Sequence, residues 1–251
     1  MLSVKRGGIV QTNQVSTQSC QVSDLQLLSE CIYLVILKPY QGYIPDYRAG
    51  QYLEILLTSG EACAFSIASP PVSMQKELEL HIQKLPSSAN SIKLFNELEQ
   101  GSVSIRMPKG CCFIESVPDS SLVLIAAGTG FAQMKSMIEF TLRKSSHKDI
   151  YLYWGVRSPE GFYMPNLPAH WASAQFHYHP VVSDALEEDE WEGRQGLLFD
   201  AVIDDKNITT GGEIFISGSP QMVYATFDAL VAKNFKAERI HSDVFEYAPR
   251  S

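Results

Sequence analysis

The sequence predicts two domains, an N-terminal antiparallel β-barrel and a C-terminal α/β domain with a parallel sheet. The chain has 251 residues, of which 45% are hydrophobic, which is enough for two cores. Apolar runs in the first half are short and separated by turn residues, whereas the second half alternates apolar runs with helical patterns. This pattern of apolar runs changes near Pro118 and Asp119, so we expect domains at residues 1–118 and 119–251.

The barrel strands are predicted from runs rich in β-branched and aromatic residues, at 31–37, 52–57, 64–68, 78–82 and 103–107. Regular turn signals between such runs are typical of a small antiparallel barrel. Segment 91–98 differs, because its apolar residues recur at helical spacing. Ser88, Asn90 and Ser91 are all of types that cap a first helical turn.

The parallel strands are predicted from apolar runs at 122–127, 150–154, 176–182 and 214–217. The first ends in Gly128-Thr129-Gly130 and the last in Ser217-Gly218, each before a helical pattern. Carboxyl ends of parallel strands share one sheet edge, where ligands bind, and a helix start offers amide groups to a pyrophosphate. These loops predict a dinucleotide site, although a purely structural glycine turn remains an alternative.

Two motifs in the first half suggest a second ligand. Gly50-Gln51-Tyr52 begins one strand, and Phe65-Ser66-Ile67-Ala68-Ser69 covers another. Aromatic and hydroxyl groups beside small residues suit a flat heterocycle such as a flavin. By themselves, however, these motifs favour a strand with a half-buried serine.

The order of these motifs carries a family resemblance. Gly50-Gln51-Tyr52, the Phe65–Ser69 motif, the glycine turn, Ser217-Gly218 with Met222, and Phe245 occur as in the ferredoxin–NADP reductase superfamily. From about residue 20 to 247 the chain most resembles the bacterial NAD(P)H-flavin reductases of the ferric reductase type. The resemblance implies a flavin-binding barrel, a nucleotide-binding α/β domain, and two rings stacked in the cleft between them.

The resemblance also implies roles for individual residues. Ser66 matches the catalytic serine whose hydroxyl lies near the flavin nitrogen that accepts hydride. The remaining implied cofactor contacts are Tyr52, Phe65 and Ile67 beside the flavin, Gly128, Thr129, Gly130, Phe131, Arg157, Ser217 and Gly218 at the nucleotide, and Phe245 and Tyr247 shielding the flavin.

One departure from the family concerns flavin affinity. Cys63 stands where members that retain flavin carry an arginine for its phosphate. Loss of a charge-assisted contact weakens binding by about 10- to 100-fold, unless Lys84 or Arg106 replaces the charge. We therefore expect FAD or FMN to exchange as a substrate. Ser217 replaces a family cysteine, and the choice between NADH and NADPH stays open.

The function expected from this sequence is hydride transfer from NAD(P)H to a flavin, with reduced flavin passing electrons to ferric iron or a partner protein. One alternative is a reductase subunit that keeps its flavin and serves an iron–sulfur or oxygenase partner. Another is a nucleotide-sensing domain that has lost turnover.

Composition argues against several other classes. The chain has 20 basic and 28 acidic residues and a net charge of −8, which disfavours nucleic acid as a partner. The five cysteines form no Cys-x-x-Cys pair, and we interpret His177 and His179 as strand residues, so no metal is expected. No apolar run approaches about 18 residues and the first residues lack a signal-peptide core, which favours a cytoplasmic protein without a membrane partner.

Overall fold

The computed structural model describes residues 14–144 and 148–250. The expectation about a signal peptide concerns residues 1–13, which lie outside this part of the chain. The described residues form two six-stranded sheets. The strands of the first sheet are β1 (Ser16–Ser29), β2 (Ile32–Pro39), β3 (Tyr52–Leu56), β4 (Ala62–Ser66), β5 (Leu78–Gln83) and β6 (Ser102–Lys109).

The first sheet is antiparallel and curls into a barrel. Its strand order is β4-β3-β6-β1-β2-β5. A bridge between Ile67 and Leu80 joins the two edge strands, and Ala68 N donates to Glu79 O at 2.8 Å. The predicted barrel is therefore confirmed, and its seam lies directly after Ser66.

The sequence prediction missed β1. This strand is mostly polar and pairs with both β2 and β6. Register irregularities between Val22 and Asp24 and between Leu27 and Ser29 interrupt its alternation. A bulge shifts the period of two that identifies a strand, so the pattern was not visible in the sequence.

The second sheet is parallel, as predicted. Its strands are β7 (Leu122–Ala127), β8 (Ile150–Val156), β9 (Phe176–Val182), β10 (Arg194–Gln195), β11 (Glu213–Ser217) and β12 (Ile240–His241). The strand order is β10-β9-β8-β7-β11-β12. Strands β8, β9 and β10 therefore lie on one side of β7, and β11 and β12 lie on the other. Such a reversal of strand order opens a crevice at the carboxyl ends of the strands.

The helices are α1 (Ala89–Glu99), α2 (Phe131–Arg143), α3 (Leu167–His170), α4 (Leu198–Asp204), α5 (Pro220–Ala232) and α6 (Val244–Tyr247). The cap of α1 is Ser88, whose side chain accepts from Ser91 N. Ser219 caps α5 in the same way, with Pro220 in the first turn. Within the described residues, we find no helix with the length and apolar character needed to cross a bilayer.

Helix α2 connects the two halves of the molecule. It begins at the edge of the parallel sheet, and its first eight residues are all buried. Ser136 Oγ donates to Ser69 O at 2.8 Å, and Lys135 Nζ donates to Glu79 Oε2 at 2.8 Å. Both acceptors belong to the barrel half, so this helix fixes the relative position of the two sheets.

Candidate active site

The glycine turn Gly128–Gly130 leads from β7 into α2. Gly128 has φ +53°, and a Cβ built on it would meet nothing within 4 Å. The turn therefore presents bare backbone to an open space, in a conformation that favours glycine. A Cβ on Gly130, by contrast, would lie 2.4 Å from Ser217 O. Gly130 is required because the turn touches the end of β11.

A cavity of about 810 Å³ opens at the carboxyl ends of β7, β8 and β9. Ala127, Gly128 and Thr129 line it on one side, and residues 155–158 on another. This volume is within the range of small-molecule sites. The barrel completes the wall with the β1–β2 hairpin and with Gln83 of β5. The sequence located the sheet edge and the resemblance implied a cleft between the halves, but neither identified the β1–β2 hairpin as part of the wall.

Arg157 lies at this cavity, directly after β8. Its side chain is exposed and takes part in no ion pair with residues 14–144 or 148–250. Ser158 lines the cavity beside it. An unpaired guanidinium and a hydroxyl at the sheet edge are groups that bind the phosphates or ribose of a nucleotide.

The end of β11 lies next to the glycine turn, but only some of the residues there line the cavity. Ser219 and Met222 line the cavity, whereas Ser217 and Gly218 are not part of its wall. A Cβ on Gly218 would lie 2.3 Å from Met222 Cε and 3.0 Å from Ala127 Cβ. The structure therefore gives Gly218 a packing role against β7.

The side chain of Phe131 lies in the core, not in the crevice. Its exposure is 0% and its ring stacks on Trp154 at 3.8 Å and 5°. Phe131 is the first residue of α2, where the inward-facing positions pack on the parallel sheet. A cofactor contact at Phe131 therefore cannot involve its ring and stays a prediction for its backbone.

Ser66 and Tyr52 are cross-strand partners on β4 and β3. Partners in an antiparallel pair point to the same face, and Phe65 and Ile67 point to the other. Ile67 is fully buried in the barrel core and Phe65 packs against that core. Ser66 and Tyr52 therefore lie on the outside of the barrel, and the side chains of Phe65 and Ile67 do not join them there.

The Ser66 hydroxyl is available to a ligand. It is half-buried and makes no hydrogen bond within the described part of the chain. The seam bridge places Ser66 beside β5, and the glycine turn packs against the same strand. The hydroxyl and the turn thus flank one strand, from opposite halves of the molecule.

The two cations considered as replacements for an arginine at position 63 are already paired. Arg106 Nε donates to Glu54 Oε2 at 2.7 Å, and Lys84 Nζ lies 3.5 Å from Glu99 Oε1. Cys63 itself packs against the barrel core. The structure therefore brings neither cation to Cys63 through a direct contact.

The two C-terminal aromatic residues have different surroundings. Phe245 packs against the rings of Tyr224 and Phe227 within the α/β half. Tyr247 is 64% exposed and follows Asp243, whose carboxylate lies beside Tyr52. Tyr247 thus remains near the outer face of the barrel, whereas the ring of Phe245 is occupied in packing.

A buried amide that was not predicted from the sequence lies at the domain interface. Gln133 is 2% exposed, and its Nε2 donates to Gly50 O at 2.7 Å and to Asp243 Oδ2 at 3.0 Å. A third acceptor, Cys112 O, lies at 3.3 Å, and Cys112 N donates to Asp243 Oδ1 at 3.2 Å. Burial raises the pKa of Asp243 to about 6, although these hydrogen bonds oppose the shift.

A second interdomain network surrounds His81 on β5, opposite Ser66 across the seam. Its Nδ1 lies 2.9 Å from the Tyr163 hydroxyl and its Nε2 2.8 Å from Glu79 Oε1. Burial lowers the pKa of His81. Burial would raise the pKa of Glu79, but the His81 hydrogen bond and the Lys135 charge outweigh it and hold it at about 2. Both networks anchor the halves beside the crevice.

A family model and a solved structure define the class of protein to which this chain is similar. The family model described as oxidoreductase NAD-binding domain matches residues 124–228. The solved structure of the ferredoxin reductase in carbazole 1,9a-dioxygenase has a TM-score of 0.80 at 21% identity, covering 91% of this chain and 69% of that one. A barrel followed by this α/β domain is thus the fold of the ferredoxin reductase superfamily.

Sequence relatives give the narrower assignment. The NAD(P)H-flavin reductase of Vibrio harveyi is 30% identical over 239 residues, covering 92% of this chain and 99% of that protein. The CDP-6-deoxy-L-threo-D-glycero-4-hexulose-3-dehydrase reductase of Yersinia pestis is 29% identical over 235 residues, covering 92% and 70%. The chain belongs to the NAD(P)H-flavin reductase family of this superfamily.

Proposed function

We propose that this protein is an NAD(P)H-flavin oxidoreductase, in which residues 1–118 bind the flavin and residues 119–251 bind the nicotinamide nucleotide. The observation that carries the proposal is the match to an NAD(P)H-flavin reductase over 99% of that enzyme's length. Two surfaces with groups that suit these ligands, one on each half of the molecule, support it.

The residues of the glycine turn and the cavity fit a nicotinamide nucleotide. Gly128 presents backbone to open space, and the start of α2 supplies amide groups and a positive helix end for a pyrophosphate. Thr129 lines the cavity, and Arg157 adds an unpaired positive charge at its wall. Gly130, Ser217 and Gly218 act by bringing the ends of β7 and β11 together.

For the flavin, the outer face of the barrel fits a flat ring system. Tyr52 offers an aromatic surface, and Ser66 an uncommitted hydroxyl. The exposed ring of Tyr247 is placed to cover a bound ring from the C-terminal side. With Cys63 lacking a charge and the nearby cations paired, the flavin is held loosely and exchanges as a substrate.

When bound, the flavin accepts a hydride from the nicotinamide. The chain's own contribution is positioning, because hydride transfer needs the two rings in contact and correctly aligned. Ser66 orients the flavin through a hydrogen bond, the glycine turn holds the nucleotide, and the Gln133 and His81 networks keep the two surfaces at a fixed separation. Reduced flavin then passes its electrons to ferric iron or a partner protein.

A flavin-retaining reductase subunit is the second candidate. It is favoured by the similarity to the dehydrase reductase of Yersinia pestis, of which the chain covers 70%. Such a protein passes electrons to a bound partner and keeps its flavin through purification.

An absorbance spectrum of the purified protein, combined with NAD(P)H oxidation assays, tests the proposal. We expect a colourless protein that oxidises NADH or NADPH only when FMN, FAD or riboflavin is added. Stoichiometric flavin that survives dialysis would support the subunit instead. Nucleotide binding without oxidation at any flavin concentration would contradict both and leave the sensing domain.

A further inference from the structure

Trp154 contacts the glycine turn from the core side. It lies on β8, is fully buried, and is the register partner of Ala126 on β7. Its indole Nε1 donates to Gly128 O at 3.0 Å, and its ring stacks on Phe131 with 3.8 Å between the ring centroids. Trp154 therefore holds the turn both at its first residue and at the residue that follows it.

The hydrogen bond fixes the direction in which one peptide group of the turn faces. In a planar trans peptide, the C=O of one residue and the N–H of the next point in opposite directions. Because the Gly128 carbonyl points toward the buried indole, the Thr129 amide points away from it, and Thr129 lines the cavity. Within residues 14–144 and 148–250, Thr129 N donates no hydrogen bond. It is thus an unused donor beside the cavity.

The opposite orientation of this peptide group would suit an anion poorly. A flipped peptide would present the Gly128 carbonyl, which carries a partial negative charge, to the cavity and would turn the Thr129 amide toward the core. Gly128 has φ +53° and no side chain, so it does not itself select one orientation. The Trp154 indole does, because a flip would leave its buried N–H without an acceptor, which is costly.

We propose that Trp154 is a positioning residue of the nucleotide site. It acts through the glycine turn, since its indole keeps the Gly128 carbonyl in the core and thereby directs the Thr129 amide toward the pyrophosphate. Trp154 is not part of the cavity wall, so this role involves no contact with the ligand. The inference rests on the proposed function, because it places the nucleotide pyrophosphate at this turn.

Trp154→Phe tests the inference, because it removes the N–H donor and keeps an aromatic ring against Phe131. In calorimetric titrations we expect the Kd for ADP to rise by about 3- to 10-fold, the effect of one neutral hydrogen bond. The Kd for FMN in a fluorescence titration should stay constant, whereas a general loss of structure would weaken both ligands. The matched control is Trp191→Phe. Trp191 Nε1 also donates to a backbone carbonyl, Arg194 O at 3.1 Å, but Arg194 does not line the cavity, so the Kd for ADP should not change.

An NMR titration of the wild-type protein with ADP provides a test that needs no variant. The Thr129 amide proton should move downfield as it forms a hydrogen bond, and the Trp154 indole proton should remain protected from exchange throughout. An unchanged Kd for ADP in Trp154→Phe, an equal loss of affinity for ADP and FMN, a Thr129 amide that ADP does not shift, or a wild type that binds no ADP overturns the inference. The expected loss of ADP affinity in a protein that reduces no flavin would uphold the inference and reject the proposed function.

Discussion

Replacing Gln133 with methionine should destabilise the protein strongly, although the new side chain has a similar length and volume. The amide donates to a backbone carbonyl, Gly50 O, and to the partly buried carboxylate of Asp243. A buried carbonyl left without its donor costs about 1–3 kcal/mol, and a hydrogen bond to a charged group is worth about 1.5–3 kcal/mol. We expect a loss of about 3–5 kcal/mol.

Guanidinium chloride denaturation followed by circular dichroism measures this loss, and thermal melting provides a second measure. For a chain of this size, 1 kcal/mol corresponds to about 2–4 °C, so the melting temperature should fall by roughly 6–20 °C. Gln221→Met is the matched control, because Gln221 is exposed on α5 and should change stability by about 0.5 kcal/mol or less. Equal stabilities for the two variants would refute the assignment of Gln133 as an interdomain anchor.

Three further predictions concern single residues. Ser66→Ala should slow hydride transfer by about 10- to 100-fold in stopped-flow measurements with little change in nucleotide affinity, because the lost contact is to the reacting ring; an unchanged rate removes Ser66 from the site. Cys63→Arg should tighten flavin binding by about 10- to 100-fold in a fluorescence titration, and an unchanged Kd would show that no phosphate lies near this position. Asp243 has a folded-state pKa of about 6, above its ordinary 3.8, so its stabilising contribution is complete below about pH 3.8 and is lost as the pH rises to about 6. The free energy of unfolding of the wild type relative to Asp243→Asn should therefore decrease by about 3 kcal/mol between those pH values. A difference that stays constant with pH in denaturation experiments would contradict a raised pKa for Asp243.

Much of the fold was predictable because it depends on local pattern. Apolar runs and glycine turns identified all the long strands except β1, whose bulges disturb the alternation. The glycine turn was found from its position after a strand and Arg157 through the family resemblance, and the structure places both at the cavity. The outward face of Ser66 and the inward face of Ile67 follow from the period of two once the strand is identified.

What could not be predicted depends on contacts between distant segments. Gln133 is an ordinary polar residue in its helix, and its importance arises from acceptors at Gly50 and Asp243, which are 83 and 110 residues away. His81 likewise gave no signal, since its partner Tyr163 is 82 residues away. Burial of Phe131 against Trp154 could not be distinguished from ligand contact in the sequence, because both explain an aromatic residue after a glycine turn.

The first turns of α2 have a consequence for protein engineering. Lys135 and Gln133 are buried polar groups of the C-terminal half whose partners Glu79 and Gly50 belong to the N-terminal half. A chimera that joined this C-terminal half to an unrelated barrel surface would remove Glu79 from Lys135, leaving it only Glu139, and would remove the Gly50 acceptor from the Gln133 amide, leaving it Asp243. The two halves are therefore not interchangeable parts, and a functional exchange must transfer α2 together with the barrel surface that it contacts.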